Sequence, residues 1–180
     1  MESVNHLSPK LSGVLPEKRR PASEAEAAAL ASGIRLRIIR LTYSEALTNK
    51  ELAERLGRDP ATTLHHVRKL VDTGFLAAQP PRRGTRGARE IPYLSTGLSW
   101  TLDSCGDKGV EQAVLEAYLA EIAETGFEGV HQSRLVVQVA PEERAELETR
   151  LNALLEEFRA RPRRPGAERT AVYLATYPST

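Results

Sequence analysis

The 180-residue chain is long enough for one ordinary domain, or for a small domain with an appended element. Its 41% hydrophobic and 27% charged residues are the composition of a soluble globular protein, and no run nears the ~20 apolar residues of a membrane helix. The net charge of +1 conceals an asymmetry: residues 50–90 hold nine basic against five acidic side chains, whereas residues 111–159 hold eleven acids against four arginines. The basic section points to a polyanion partner for that part of the chain alone.

Aromatics make up only 5% of the chain, so the core must be built mainly from Leu, Val, Ile and Ala. The lone cysteine, Cys105, excludes a disulfide framework within the chain and a multi-thiolate metal site, and the expected compartment is the cytoplasm.

Residues 1–22 lack an apolar signal-peptide core and read as a disordered leader. Ser23 followed by Glu26 is a capping-box pattern that opens a helix, and Ile34, Leu36, Ile38, Ile39 and Leu41 carry helical character onward, flanked by Arg35, Arg37 and Arg40. Thr48 and Glu51 make a second capping box. Leu52, Ala53 and Leu56 then share one face of a short helix that Gly57 terminates. Asp59 is a good N-cap for the next helix, and Pro60 suits its first turn, where no backbone N–H is needed. That helix runs to about Asp72, and Gly74 stops it. Two helices around a short glycine-containing break form a helix-turn-helix.

The segments "FLAAQP" and "EIPYLST" are strand candidates around the basic loop "PRRGTRGAR", and together they predict a β-hairpin wing. The loop exceeds what a tight hairpin requires, which favours a functional role. A turn-rich stretch follows. Val110, Val114, Leu115, Leu119 and Ile122 recur at helical spacing, and Gly126 is the expected stop. "SRLVVQVA" reads as a strand. Pro141 opens an amphipathic helix with the stripe Leu147, Leu151, Leu154, Leu155 and Phe158, most simply its core-facing side. "RTAVYLATYP" reads as a final strand.

The expected fold class is therefore α+β. A winged helix-turn-helix domain (residues 23–100) follows the leader, and a C-terminal helix-strand-helix-strand region (residues 101–180) serves dimerisation or an effector. Only two C-terminal strands are visible, and so small a sheet wants covering by the helix near 110–124 and by a second subunit.

In the second helix, Val67, Leu70 and either Thr63 or Leu64 hold the core. Thr62, His65 and Lys69 fall on the opposite side, with Arg68 flanking. Such a face can enter a major groove, where hydroxyls and imidazoles reach base edges or phosphates and Arg68 and Lys69 supply charge for the backbone. The wing arginines Arg82, Arg83, Arg86 and Arg89 would lie along the duplex.

Residues 33–96 resemble the winged helix-turn-helix of ArsR-type transcriptional regulators. The resemblance lies in "LGRDPATT", in "HHVRKLVDTGFL" and in the wing. His66, Val67, Leu70, Gly74 and Phe75-Leu76 match the family pattern S-x-H-L-x-x-L-x-x-x-G-L. Leu64 departs from it, standing where the family often has a DNA-touching serine. The paired cysteines of its arsenic and cadmium sensors are absent, and "YLSTGLSW" resembles a variant group of these regulators.

The resemblance implies double-stranded DNA as partner and a dimeric regulator, with Thr62, Thr63, His65, His66, Arg68, Lys69, Arg82, Arg83, Arg86 and Arg89 as candidate DNA contacts. A homodimer and a small-molecule effector are the further partners expected. No membrane partner, metal or cofactor is expected. Adjacent His65 and His66 point about 100° apart on a helix and rarely share one ion. Cys105 reads as incidental, and Trp100, Tyr173 and Tyr177 as core or interface packing rather than the lining of a ligand pocket. The rival reading is a protein-interaction winged helix that never meets DNA. An enzyme fits worst, because no phosphate loop and no nucleophile–base set is present.

Overall fold

The computed structural model describes residues 19–84, 87–103, 106–164 and 166–179. Lys18–Gln132 forms one compact unit, and Ser133–Thr180 belongs to a second. Residues 1–18 of the expected leader, Arg86 and Cys105 lie outside the described residues.

The first unit begins with strand β1 (Arg20–Pro21), which pairs in parallel with β7 (Leu102–Asp103). Residues 20–21, expected in the disordered leader, are thus part of a sheet. The Arg19 guanidinium lies 4.7 Å above the Trp100 ring, a cation–π contact that adds to this tie. Helix α1 (Glu24–Leu30) starts at the expected capping box, with Ser23 Oγ accepting from Glu26 N and the Glu26 carboxylate from Ser23 N. Helicity breaks at Ala31–Ser32, and α2 (Gly33–Leu41) follows as a separate helix. Arg35 donates to the carbonyls of Ala29 and Ala28 at 2.5 and 2.8 Å, closing the C-terminal end of α1.

Strand β2 (Leu47–Thr48) runs directly into α3 (Asn49–Leu56). Thr48 and Glu51 make the expected reciprocal cap, and Gly57 turns the chain with φ +59. Asp59 accepts from Ala61 N at 2.8 Å and Thr62 N at 3.1 Å to open α4 (Pro60–Asp72). Gly74, at φ +79, lets the chain reverse into β3 (Leu76–Ala78). β6 (Pro92–Ser95) lies between β2 and β3, antiparallel to both. The hairpin continues outward as β4 (Arg82–Arg83) paired with β5 (Arg89–Glu90). Pairing therefore claims part of the expected nine-residue loop, and Gly84 N closes the base of the remaining turn on Ala88 O at 2.8 Å. The third strand, β2, is too short to leave a period-2 signature.

The core gathers Leu30, Ile38, Leu47, Leu52, Leu56, Val67, Leu70, Phe75 and Leu102. Full burial of one such side chain contributes about 1.5–3 kcal/mol. Helix α5 (Lys108–Thr125) begins at Asp107, which accepts from Gly109 and Val110, and it packs on α1 and α2. It was expected to cover a C-terminal sheet. It buries Val110, Ala113 and Ala117 instead and leaves Val114, Leu115 and Leu119 exposed. The cause is Gly33: a Cβ there would sit 3.3 Å from Glu116 Cβ and 3.4 Å from Ala117 N, so the two backbones cross too closely for large side chains. Arg37–Glu124 and Arg40–Glu121 ion pairs flank this crossing one turn apart.

In the second unit, α6 (Pro141–Ala160) starts at the expected proline, and Glu143 accepts from Ala140 N at 2.9 Å. Pairs such as Arg144–Glu148 and Arg161–Glu157 line its surface. The expected core-facing stripe is corrected, because Leu147, Leu154 and Phe158 are exposed while Glu156 is buried against Arg159. The strands expected at 133–140 and 169–178 carry no strand assignment among the described residues, where neither segment has a ladder partner. Tyr173 and Tyr177, expected as packing residues, are 38% and 70% exposed.

The crossing of α2 and α5 generates a stability prediction. Gly33→Leu forces these helices apart and should cost about 1–3 kcal/mol in urea unfolding. An equal midpoint for wild type and variant would show that the close approach is not needed.

Candidate nucleic-acid interface

Helix α4 carries the site because its two faces differ in kind. Thr63, Val67 and Leu70 are buried. Residues at three- and four-residue spacing share a face, so burial of these three turns Thr62, His65, Arg68 and Lys69 away from the core. Thr62, His65 and Arg68 are exposed and Lys69 is half-buried. Asn49 fixes the entry of the helix: its side-chain amide donates to Pro60 O at 2.9 Å, tying the start of α3 to the start of α4.

Two of the expected contacts are placed differently from the rest. Thr63 is 1% exposed and its hydroxyl donates to Asp59 O at 3.0 Å, so it belongs to the core side and to the first turn of α4. His66 sits at the boundary of the faces, half-buried. Its Nδ1 is sealed from solvent and has no hydrogen-bond partner among the described residues. Burial first, then the charges of Arg35, His65 and Arg58, push its pKa below the ordinary 6.5. The His65 and His66 rings meet edge-on, 5.9 Å apart with planes crossing at 66°. Leu64, where the ArsR pattern often has serine, is half-buried.

The basic residues divide into compensated and uncompensated groups. Arg55 pairs with Glu45 at 3.0 Å, Lys50 lies 3.9 Å from Glu54, and Arg82 pairs with Glu51. Arg58, Arg68, Lys69, Arg83 and Arg89 have no carboxylate partner among the described residues. Arg58 was counted in the basic section but not singled out as a site residue. It stands exposed in the turn that leads into α4, where only the tertiary structure separates it from its paired neighbours. Arg83 and Arg89 are directly opposed across β4 and β5, hence on one face of the hairpin, while Arg82 and Glu90 take the other. Like charges placed opposite one another destabilise a ribbon unless an anion lies between or beside them.

Residues 30–78, from the end of α1 to β3, match the family model of a helix-turn-helix domain. β3 and β6 then pair in one sheet with β2, and β4 and β5 extend them as a hairpin. The chain carries a winged helix-turn-helix domain. No curated protein matches the chain.

Among solved structures, wild-type ZitR from Lactococcus lactis in complex with DNA shares 19% identity. That match covers 83% of this chain and 86% of that one at a TM-score of 0.34. The zinc-dependent MarR family transcriptional regulator AdcR in its Zn(II)-bound state shares 23% identity over 70% of this chain and 74% of its own, at a TM-score of 0.31. A MepR variant from S. aureus bound to an oligodeoxyribonucleotide shares 19% over 71% and 78%, at 0.30. Likeness at these TM-scores carries no functional weight for this winged helix-turn-helix chain.

His66 supplies a pH test of the α4 packing. Its folded pKa lies below the unfolded value, so the folded state binds fewer protons. Stability is full above pH 6.5 and declines as pH falls below it. His66→Gln should flatten that slope in urea unfolding compared at about pH 5 and about pH 7.5. A slope unchanged by the substitution would place the imidazole in solvent in both states.

Proposed function

We propose that the chain is a DNA-binding transcriptional regulator that acts as a homodimer in the cytoplasm. Helix α4 enters the major groove, and the β4–β5 hairpin lies along the adjacent backbone. One observation carries the reading: the outward face of Thr62, His65, Arg68 and Lys69 shares its domain with an opposed, uncompensated Arg83–Arg89 pair. A phosphate backbone relieves such a like-charge pair, and a polar helix face of this composition can read base edges. Arg68, Lys69, Arg83 and Arg89 then supply backbone affinity, Arg58 adds to it at the start of α4, and Thr62 and His65 bear on sequence preference. The pattern running from His66 to Leu76 supports an ArsR-like subtype without paired cysteines.

The dimer half of the proposal rests on α5. Val114, Leu115 and Leu119 are exposed on one helix, and an apolar stripe is self-complementary across a two-fold axis in a way that a charged stripe is not. Two α4 helices would then reach successive major grooves about 34 Å apart on a pseudo-palindromic site. A small-molecule effector would act by changing that spacing. The reading is of a regulator rather than a catalyst.

Mobility shift on random genomic duplexes at low salt separates this function from a winged helix that contacts only protein. Binding should weaken in Arg68→Ala and Lys69→Ala. In the Arg83→Ala/Arg89→Ala double variant the slope of log affinity against log salt should shrink by about 0.9 for each phosphate that is no longer neutralised. A slope equal to that of wild type would remove the hairpin from the interface. Leu119→Glu should convert the dimer to a monomer in light scattering while the α4 domain stays folded. A wild-type chain that is strictly monomeric at micromolar concentration would refute the dimer.

A further inference from the structure

Arg82 stands apart from Arg83 and Arg89. It sits on β4, on the hairpin face opposite Arg83 and Arg89, and its guanidinium is paired with the Glu51 carboxylate of α3. That carboxylate does two things at once. Its Oε2 accepts from Thr48 N at 2.7 Å, completing the cap of α3, while its Oε1 accepts from Arg82. Thr48 in turn belongs to β2, which is paired with Pro92 and Tyr93 of β6. The inner end of the wing is therefore fastened to the helix-turn-helix by the sheet, and the outer ribbon, among the described residues, by the Arg82–Glu51 ion pair. Across the ribbon the Glu90 side chain lies over the turn, so close that a Cβ at Gly84 would meet its carboxyl at 2.2 Å. Arg82 thus faces acids of its own chain, whereas Arg83 and Arg89 face none among the described residues.

We propose that Arg82 is a positioning residue: with Glu51 it forms a strut that holds the hairpin at a set angle to α3 and α4, so that Arg83 and Arg89 meet the phosphates. This rests on the DNA-binding reading above and deepens it by dividing the described wing arginines into one strut and two contacts. It also gives an acidic residue a favourable role in binding a polyanion. The two side chains are 46% and 37% exposed, so the strut is a modest constraint, sufficient to orient a two-residue ribbon but not to fold the domain.

The opposing assignment, Arg82 as a phosphate contact, differs in sign. Under the strut, Glu51→Gln weakens binding of the full chain to a random-sequence duplex by about threefold, although the change removes a negative charge. Glutamine preserves the α3 cap, so folding is retained. Arg82→Ala weakens binding by a similar factor and moves the salt slope no further than Glu51→Gln does, and the double variant binds no more weakly than either single one. Tighter binding in Glu51→Gln, or a slope smaller by about 0.9 in Arg82→Ala than in Glu51→Gln, would make Arg82 a phosphate contact and overturn the strut while leaving the DNA-binding reading intact. Amide hydrogen exchange at Gly84 in the DNA-free protein provides a readout that needs no duplex. It should quicken in both single variants, and protection equal to wild type in both overturns the strut. A wild-type chain that binds no duplex ends the DNA-binding reading, and the exchange result still decides the strut.

Discussion

Burial of Val67 and Leu70 against α3 and the sheet is the constraint from which the rest follows. An α-helix has one angular degree of freedom about its axis, and sealing Thr63, Val67 and Leu70 consumes it. Thr62, His65, Arg68 and Lys69 are then outward by geometry and need no interactions of their own to stay there. Asp59, Gly57 and the Asn49–Pro60 hydrogen bond set where the helix begins and how it leaves α3. A helix fixed at its start, its axis and its rotation can present a face with the accuracy that groove recognition demands.

The domain's charge is arranged by pairing as much as by number. Basic residues close to α3 are matched with acids: Arg55 with Glu45, Lys50 with Glu54, Arg82 with Glu51. Those at the start of α4, on its outer face and on one side of the hairpin are left unmatched among the described residues. Matched surface pairs contribute little to stability, typically below about 1 kcal/mol, but they cancel field where it is not needed. The unmatched positive charge is left at the start of α4, on its outer face and on one side of the hairpin. A polyanion sees that local excess rather than the near-neutral sum.

Helix α5 shows the same economy with apolar surface. Gly33, Ala113 and Ala117 let it lie close on α2, with the Arg37–Glu124 and Arg40–Glu121 pairs alongside. Small residues make the intramolecular contact, so the large ones remain outside. α5 carries apolar residues on more than one side, and the side that holds Val114, Leu115 and Leu119 is left exposed.

Much of this was legible in the sequence because the signals are local. Both capping boxes, the Gly57 turn, the Asp59-Pro60 start and the stop near Gly74 depend on backbone hydrogen bonds within a few residues, and each stands where the pattern puts it. The alternation of faces on α4 is likewise a matter of period alone. What the sequence could not determine were choices between equivalent residues: Thr63 rather than Leu64 as the inward residue, and Arg82 rather than Arg83 as the arginine that meets Glu51. The face of α5 that is buried was another such choice. These depend on a partner surface brought from far along the chain. A helix period shows which side chains travel together, but only the packed neighbour decides which group it covers.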